Sequence, residues 1–468
     1  MTTPNDAVLD RMQYRADPLA DDTIARIVAS EKVSGSTQTA ALAAVTRVFG
    51  QWTDNRNLVD WNGGGVTPQM AAPLATYVEA GHHLPDWADA AKIERAEAIF
   101  MDYGALSVTL LFCSSLPECY IVPDLAAVLN TTGQLEKRAD HRVRATGAMV
   151  FPVMMKGGLT DASGGGVAQI FKVRLIHATI RHLILRASPA EAIAALGDAQ
   201  NMAGAGVVPP LMSADPATDM HEALFAHGWK TGEDGLPCNQ EELAYTLLTF
   251  SYIFLRSMRK LGLGLPAAEE EAYLHAWNVV GHLLGIEREL MVDTMADAAT
   301  LFAAMQARGR ADWIAKPTRV DPRPLLGRAL MAAAANAIPF SLLKSFPVLM
   351  TRFLCGPTSS IDLGLTEHVS WLARLLFAVV MGGARIIDGV VRMVFPEFSI
   401  VRLFMRILGY HLMTKLMMDQ SRPLKLPTQL LNGVDLMMHH WSADPKSPGW
   451  LNKIEDWATI KGSWRQAR

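Results

Sequence analysis

Between Lys172 and Arg186 the chain reads KVRLIHATIRHLILR, which sets one histidine between two arginines at helical spacing. At about 100° per residue, Val173, Ile176, Ile180, Leu183 and Ile184 gather into one apolar stripe. His177 falls at the edge of that stripe, and Arg174 and Arg181 fall just beyond it on the same flank. An imidazole against an apolar wall can bind a haem iron, and guanidinium groups beside it can meet the anionic propionates. The plainer alternative is a core-edge histidine with two solvated arginines, and the residues alone leave both open.

A second helical stretch, residues 136–155 (EKRADHRVRATGAMVFPVMM), collects Ala139, Met149, Val150 and Val153 on one face. Arg142 and Thr146, four residues apart, fall inside it. Burying a guanidinium costs several kcal/mol unless it is paired. Arg142 therefore either pairs with a carboxylate, Glu136 or Asp140 being nearest, or faces a ligand pocket as a donor together with Thr146.

Other histidines offer less. His82-His83 and His439-His440 are adjacent, so each pair diverges around a helix and chelates poorly. His177 and His182 lie about 140° apart on an unbent helix and cannot share one metal. One axial histidine fits better than a multi-histidine centre. No Cys-X-X-Cys-His is present, so a haem would be held without covalent attachment.

The elements that would position these residues are helical. Of 468 residues, half are hydrophobic and 19% charged, enough for a sizeable core. Residues 85–308 give one helical pattern after another, broken at Pro117, Pro123, 157–166 and 232–237, with hardly any strand alternation. The fold class expected is all-α. The organisation expected is a helical lead-in over 1–75, a catalytic or binding domain over 76–310, and a C-terminal helical extension over 311–468.

Asp21-Asp22-Thr23 offers a helix start. Asn239 and Glu242 form a capping box at the start of a helix after Pro237. The triplet Gly164-Gly165-Gly166 lacks the spacing and preceding strand of a phosphate-cradling loop, and reads as a connector. The tail holds Trp450, Trp457 and Trp464 at seven-residue spacing, a tryptophan edge suited to clamping onto the body.

Composition excludes some functions. A net charge of −3 with scattered Lys and Arg gives no nucleic-acid footprint. Cys113, Cys119, Cys238 and Cys355 show no paired-ligand spacing, which suits a reducing compartment. The first residues show no basic start followed by an apolar run, so a cytoplasmic location is expected. Residues 369–395 look membrane-like but are broken by Arg374, Arg385, Asp388 and Arg392. A span needs about 20 mostly apolar residues. A buried helix is expected here, and an amphipathic helix lying on a membrane surface is the alternative.

Several stretches, in order, resemble the catalytic domain shared by latex clearing proteins (rubber oxygenases) and MpaB-type oxygenases. They are IFMDYG (99–104), SLPECYIVPDLAAVLNTTGQL (115–135), RVRATG (142–147) and VRLIHATIR (173–181). DGLPCNQEELAYTLLTFS (234–251), EEEAYLHAWNVVGHLLGI (269–286) and RFLCG (352–356) continue the series. The resemblance implies a globin-like helical core holding haem b, with His177 as the iron ligand and Arg142 and Thr146 on the distal side. It also implies dioxygen as co-substrate and oxidative cleavage of a carbon–carbon double bond in a hydrophobic, isoprenoid-like molecule.

Two positions depart from the family. Rubber oxygenases carry a lysine just before the threonine, where this chain has Ala145, and their distal acid has no clear match, Glu136 and Glu118 being the candidates. A non-catalytic haem or lipid carrier of the same fold is the alternative function, and a helical interaction protein without cofactor is a third.

Overall fold

A computed structural model describes residues 4–33, 38–131, 134–198, 206–210, 228–316, 321–338, 341–367, 369–391, 399–414 and 448–459. The architecture is all-α. Among the described residues the one strand pairing is a two-residue antiparallel ladder, Val207–Val208 with Trp229–Lys230. One connected hydrophobic core runs from Leu9 to Met413 and takes side chains from all three expected segments. The boundaries expected at 75/76 and 310/311 fall inside the helices Pro68–Gly81 and Met295–Ala315.

The axis of the fold is the helix Ala90–Leu110, continued by a π-helical turn, Leu111–Ser115, into Leu116–Cys119. Asp89 caps its start by accepting from the Ala91 and Lys92 amides. Gly104, at φ 37° and ψ −114°, lets the helix kink. Among the described residues, Ala90–Cys119 is the one stretch long and apolar enough to cross a membrane, and 83% of its most apolar window is buried inside the protein. It is a core helix.

The helices Ile400–Leu412 and Ala267–Leu283 pack along this axis. The first comes so close that a Cβ at Gly409 would stand 1.6 Å from the Ala105 carbonyl oxygen. Thr109 Oγ1 donates to the Met405 carbonyl at 2.9 Å across the same crossing.

The His177 helix, Gly166–Leu185, packs against Pro18–Val33 on one side and Gln134–Met154 on another. Its start is fixed by the glycine-rich loop before it. Asn55 Nδ2 donates to the Gly158 and Asp161 carbonyls at 3.0 and 2.8 Å, while its Oδ1 accepts from the Ala168 amide at 3.1 Å. The loop does cradle an anion, but an internal one. The buried Glu97 carboxylate accepts from the Gly157 amide at 2.8 Å, with the Gly158 and Leu159 amides turned to it as well. The connector is thus pinned at both ends. The tryptophan edge expected to clamp the tail onto the body faces outward at Trp450 and Trp457, and Trp464 lies outside the described residues.

Gly409→Ala drives a methyl group into the Ala105 carbonyl and forces the two helices apart. The expected loss is about 1–3 kcal/mol, the usual cost of overpacking. Chemical denaturation of variant and parent checks it, and an unchanged midpoint would mean that this crossing is not closely packed.

Candidate functional site

The helix Pro18–Val33 begins one turn earlier than Asp21, with Asp17 immediately before it. Asp17 and Asp21 therefore both stand at a helix N-terminus, where the helix dipole favours negative charge. They meet the two arginines of the His177 helix. Arg174 grips Asp17 with two bonds, Nε to Oδ2 at 2.5 Å and Nη2 to Oδ1 at 2.7 Å, and gives Nη1 to the Leu283 carbonyl at 3.1 Å. Arg181, fully buried, donates to Asp21 Oδ1 at 2.9 Å and to the Cys238 carbonyl at 2.9 Å.

This corrects the expectation for Arg174 and Arg181. Neither is a solvated flank residue, and neither guanidinium is turned to an open face to meet propionates. Both are committed to aspartates 157 and 160 residues away in the chain. Burial is the largest influence on Asp21. It outweighs the Arg181 charge and holds the Asp21 carboxyl up at about 6.

The neighbourhood is closed by Gln240 and Gly285. Gln240 Nε2 donates to the Ala16 and Gly285 carbonyls, and its Oε1 accepts from the Glu287 amide at 2.9 Å. Gly285 sits at φ +83°, where a Cβ would lie 2.7 Å from the Asp17 carboxylate and 2.8 Å from Arg174 Nη2. Asn239 caps the helix Gln240–Phe250 as expected, its Oδ1 accepting from the Glu242 amide at 3.0 Å.

With this face turned inward, the apolar stripe is only partly buried. Ile170, Phe171, Leu175, Ala178 and Leu185 are buried alongside the arginines, whereas Ile176 is 37% exposed and Val173 and Ile180 are half-buried. Leu183 and Ile184 are buried. His177 is half-buried at the margin of this open apolar face. Lys172 lies at its other margin, where desolvation pulls its amine down to about 8.

On the neighbouring helix Gln134–Met154, Thr146, Ala148 and Met149 are half-buried and Ala145 is exposed. The backbone of Arg142 belongs to this helix, while its side chain and that of Glu136 lie outside the described residues. The sequence reading missed Arg144, which is fully buried. Glu118 is not open to a ligand: its carboxylate accepts from Arg256 at 2.7 Å, Gln306 at 2.8 Å and Ser359 at 3.2 Å.

The pair of helices fits a haem in one respect. It offers an imidazole beside an open aliphatic face, the combination that an apolar macrocycle with one axial nitrogen requires. Propionate partners would have to be other than Arg174 and Arg181. Among the described residues no group of three or more His, Cys, Asp or Glu is placed to hold a metal ion. A haem iron bound through a single protein nitrogen needs no such group.

Residues 214–386 match the family described as "ER-bound oxygenase mpaB/B'/Rubber oxygenase, catalytic domain". The matched stretch begins after the His177 helix, so Arg142, Thr146 and His177 lie outside it. The rubber oxygenase of Streptomyces sp. (strain K30) is 24% identical over 359 residues, covering 75% of this chain and 69% of that protein. The structure of a latex clearing protein in its closed state superposes with a TM-score of 0.56 at 18% identity, covering 91% of this chain and 90% of the other. The chain is thus similar to rubber oxygenases in sequence, and its all-α fold is that of the latex clearing protein.

Two predictions follow from the ion pairs. Arg181→Met leaves Asp21 buried without its partner and should cost about 3–5 kcal/mol. Arg181→Met/Asp21→Asn should recover much of that, which denaturation of both variants will show. Asp21 also links stability to pH. Its folded pKa lies above the ordinary carboxylate value, so its contribution is full below about pH 4 and is lost as pH rises through about 6. The stability of the parent relative to Asp21→Asn should therefore fall across that window and level off above it.

Proposed function

We propose that the protein is a haem b-dependent oxygenase that uses dioxygen to cleave a carbon–carbon double bond in a hydrophobic, isoprenoid-like substrate. The observation that carries this reading is His177, half-buried at the margin of an open apolar face on a helix whose opposite side is locked by two buried ion pairs. Kinship with rubber oxygenases supports it.

In this reading His177 holds the iron through one neutral ring nitrogen, and a hydrogen bond at the other nitrogen sets its tautomer. A bound haem supplies the iron centre at which dioxygen is activated. Thr146 and Arg142 would donate hydrogen bonds to stabilise negative charge that develops during the reaction. Val173, Ile176 and Ile180 would pack against the haem and exclude water, and an apolar channel lined from the Met149–Met155 run would admit the aliphatic substrate. Cleavage of one double bond by one dioxygen into two carbonyl groups balances without an external reductant.

Ala145 brings no amine to the distal side. The resting absorption spectrum should accordingly lack the signature of a second strong-field nitrogen ligand. Purified protein supplied with haem should show a Soret band that shifts on reduction with carbon monoxide, and His177→Ala should lose the haem while keeping its helical circular dichroism. Normal haem content in His177→Ala would remove the axial assignment. Oxygen uptake with an unsaturated isoprenoid, yielding carbonyl products, separates an oxygenase from a haem carrier of the same fold.

A further inference from the structure

An acidic cavity lies where Gln13, at the end of the helix Asp6–Met12, meets the helices Pro123–Thr131, Gln240–Phe250 and Met295–Ala315. Four carboxylates line it, those of Asp124, Glu241, Glu242 and Asp312, together with Arg308. Its volume is about 30 Å³. A water needs about 10–15 Å³ on this measure, so the cavity takes two bodies of that size.

Among the described residues, cations are too few for these acids. Lys316 Nζ holds Asp312 at 2.6 Å. Arg308 donates from Nε to Glu241 at 3.2 Å, but also from Nη2 to Asp10 at 2.7 Å, with Asp6 at 3.7 Å. One guanidinium thus serves three acids.

Glu242 is the acid left over. It is 4% exposed and lines the cavity, and neither of its oxygens completes a hydrogen bond, although the Cys238 and Asn239 amides are turned toward it. Burial, reinforced by the charges of Asp124 and Glu241, pushes its carboxyl well above the ordinary carboxylate range. Glu241 is held up at about 7, again chiefly by burial. With no cation beside it, Glu242 keeps its proton at neutral pH. Its place in the capping box does not require a carboxyl, since glutamine serves there as well.

We infer that this cavity binds the ammonium head of a small primary amine, with Glu242 as its counter-ion. Such a head is comparable in size to a water molecule, and it carries three N–H donors and one positive charge. Among the described residues no three of His, Cys, Asp or Glu are placed to share a metal ion. Hydrogen bonds from an ammonium are longer than metal–oxygen bonds and tolerate the wider spacing. Val122 and Met305, in the cavity wall, give the first carbon of the amine an apolar surface to lie on. None of these residues belongs to the open face beside His177, so the site stands whether or not the chain binds haem.

Binding converts a neutral carboxyl and an alkylammonium into a carboxylate–ammonium pair, and the displaced proton goes to the buffer. The test is isothermal titration calorimetry of the full chain with methylammonium chloride against a sodium chloride background, in buffers of different ionisation enthalpy. Saturable binding is expected, with about one proton released per amine bound. Affinity should rise about tenfold per pH unit from about pH 6 upward, and level off once Glu242 is ionised in the free protein. Glu242→Gln removes a buried acid without a partner, so its melting temperature should equal or exceed the parent's. The same variant is expected to weaken binding by about tenfold or more and to abolish the proton release. Potassium, which has no N–H donors, and tetramethylammonium, which is also too large, are expected not to compete. Absence of saturable binding would overturn the proposal, and so would equal binding of either control cation or proton release that survives in Glu242→Gln. If Glu242→Gln does not fold, proton release and selectivity in the parent decide the matter.

Discussion

Two arginines and two aspartates, all buried, set the orientation of the helix that carries His177. Taking four charges out of water costs several kcal/mol each, and their attraction repays this only when geometry is good and the remaining donors are satisfied. Here Arg174 makes a two-bond grip on Asp17, and Arg181 divides two donors between Asp21 and the Cys238 carbonyl while its Nε is left without a partner. The aspartates sit at the positive end of their own helix, which lowers the cost further. Arg174 and Arg181 are two turns apart, so both pairs form only at one rotation and one axial position of the two helices. A helix held by apolar contacts alone can slip or roll more easily. This one cannot do either without exposing four charges to a low-dielectric interior.

That constraint spreads through carbonyl groups. Leu283 and Cys238 are acceptors for the arginines, and Gln240 ties the chain near Ala16 to Gly285 and Glu287. Segments from the start, the middle and the 280s of the chain thus share one polar centre. Gly285 is obligatory there on two counts: its φ is in the left-handed region, and any side chain would displace the Asp17–Arg174 pair. At the other end of the His177 helix, Asn55 and the loop folded around Glu97 fix where the helix begins. His177 is therefore positioned from both ends, although its own surroundings are partly open.

The sequence made the helical class legible, because apolar residues recur at helical spacing and strand alternation hardly appears. The Asn239 cap was legible too, since its donors and acceptors lie within three residues of one another. What periodicity could not supply is which face of a helix the neighbours cover. In KVRLIHATIRHLILR the five branched and aliphatic residues form the more apolar stripe, yet that stripe is covered only in part, with Leu183 and Ile184 buried and Ile176 exposed, whereas the face with the arginines is buried throughout. Burying it requires acids at Asp17 and Asp21, more than 150 residues away, and local spacing holds no record of them. For the same reason the glycine triplet read as a connector: the anion its loop encloses, Glu97, comes from a different helix.

These two departures belong together. Apolar residues usually go inside and charged ones outside, so a helix that does the reverse needs a reason on each side. The inside of the His177 helix has one, since every buried charge there meets its opposite. The outside keeps Ile176 near water with Val173 and Ile180 half-covered beside it, a state that favours an apolar body able to cover them. The same inversion recurs in Trp371–Val391, where Asp388 is consumed as a helix cap and Ile386 is left outside. In both places an internal polar bond dictates which side chains remain over. Ion pairing and capping are directional and fix a helix's rotation, whereas apolar burial is not directional and accepts whichever covering arrives. The chain thus uses its directional interactions to build a rigid frame, and leaves part of its apolar surface facing out.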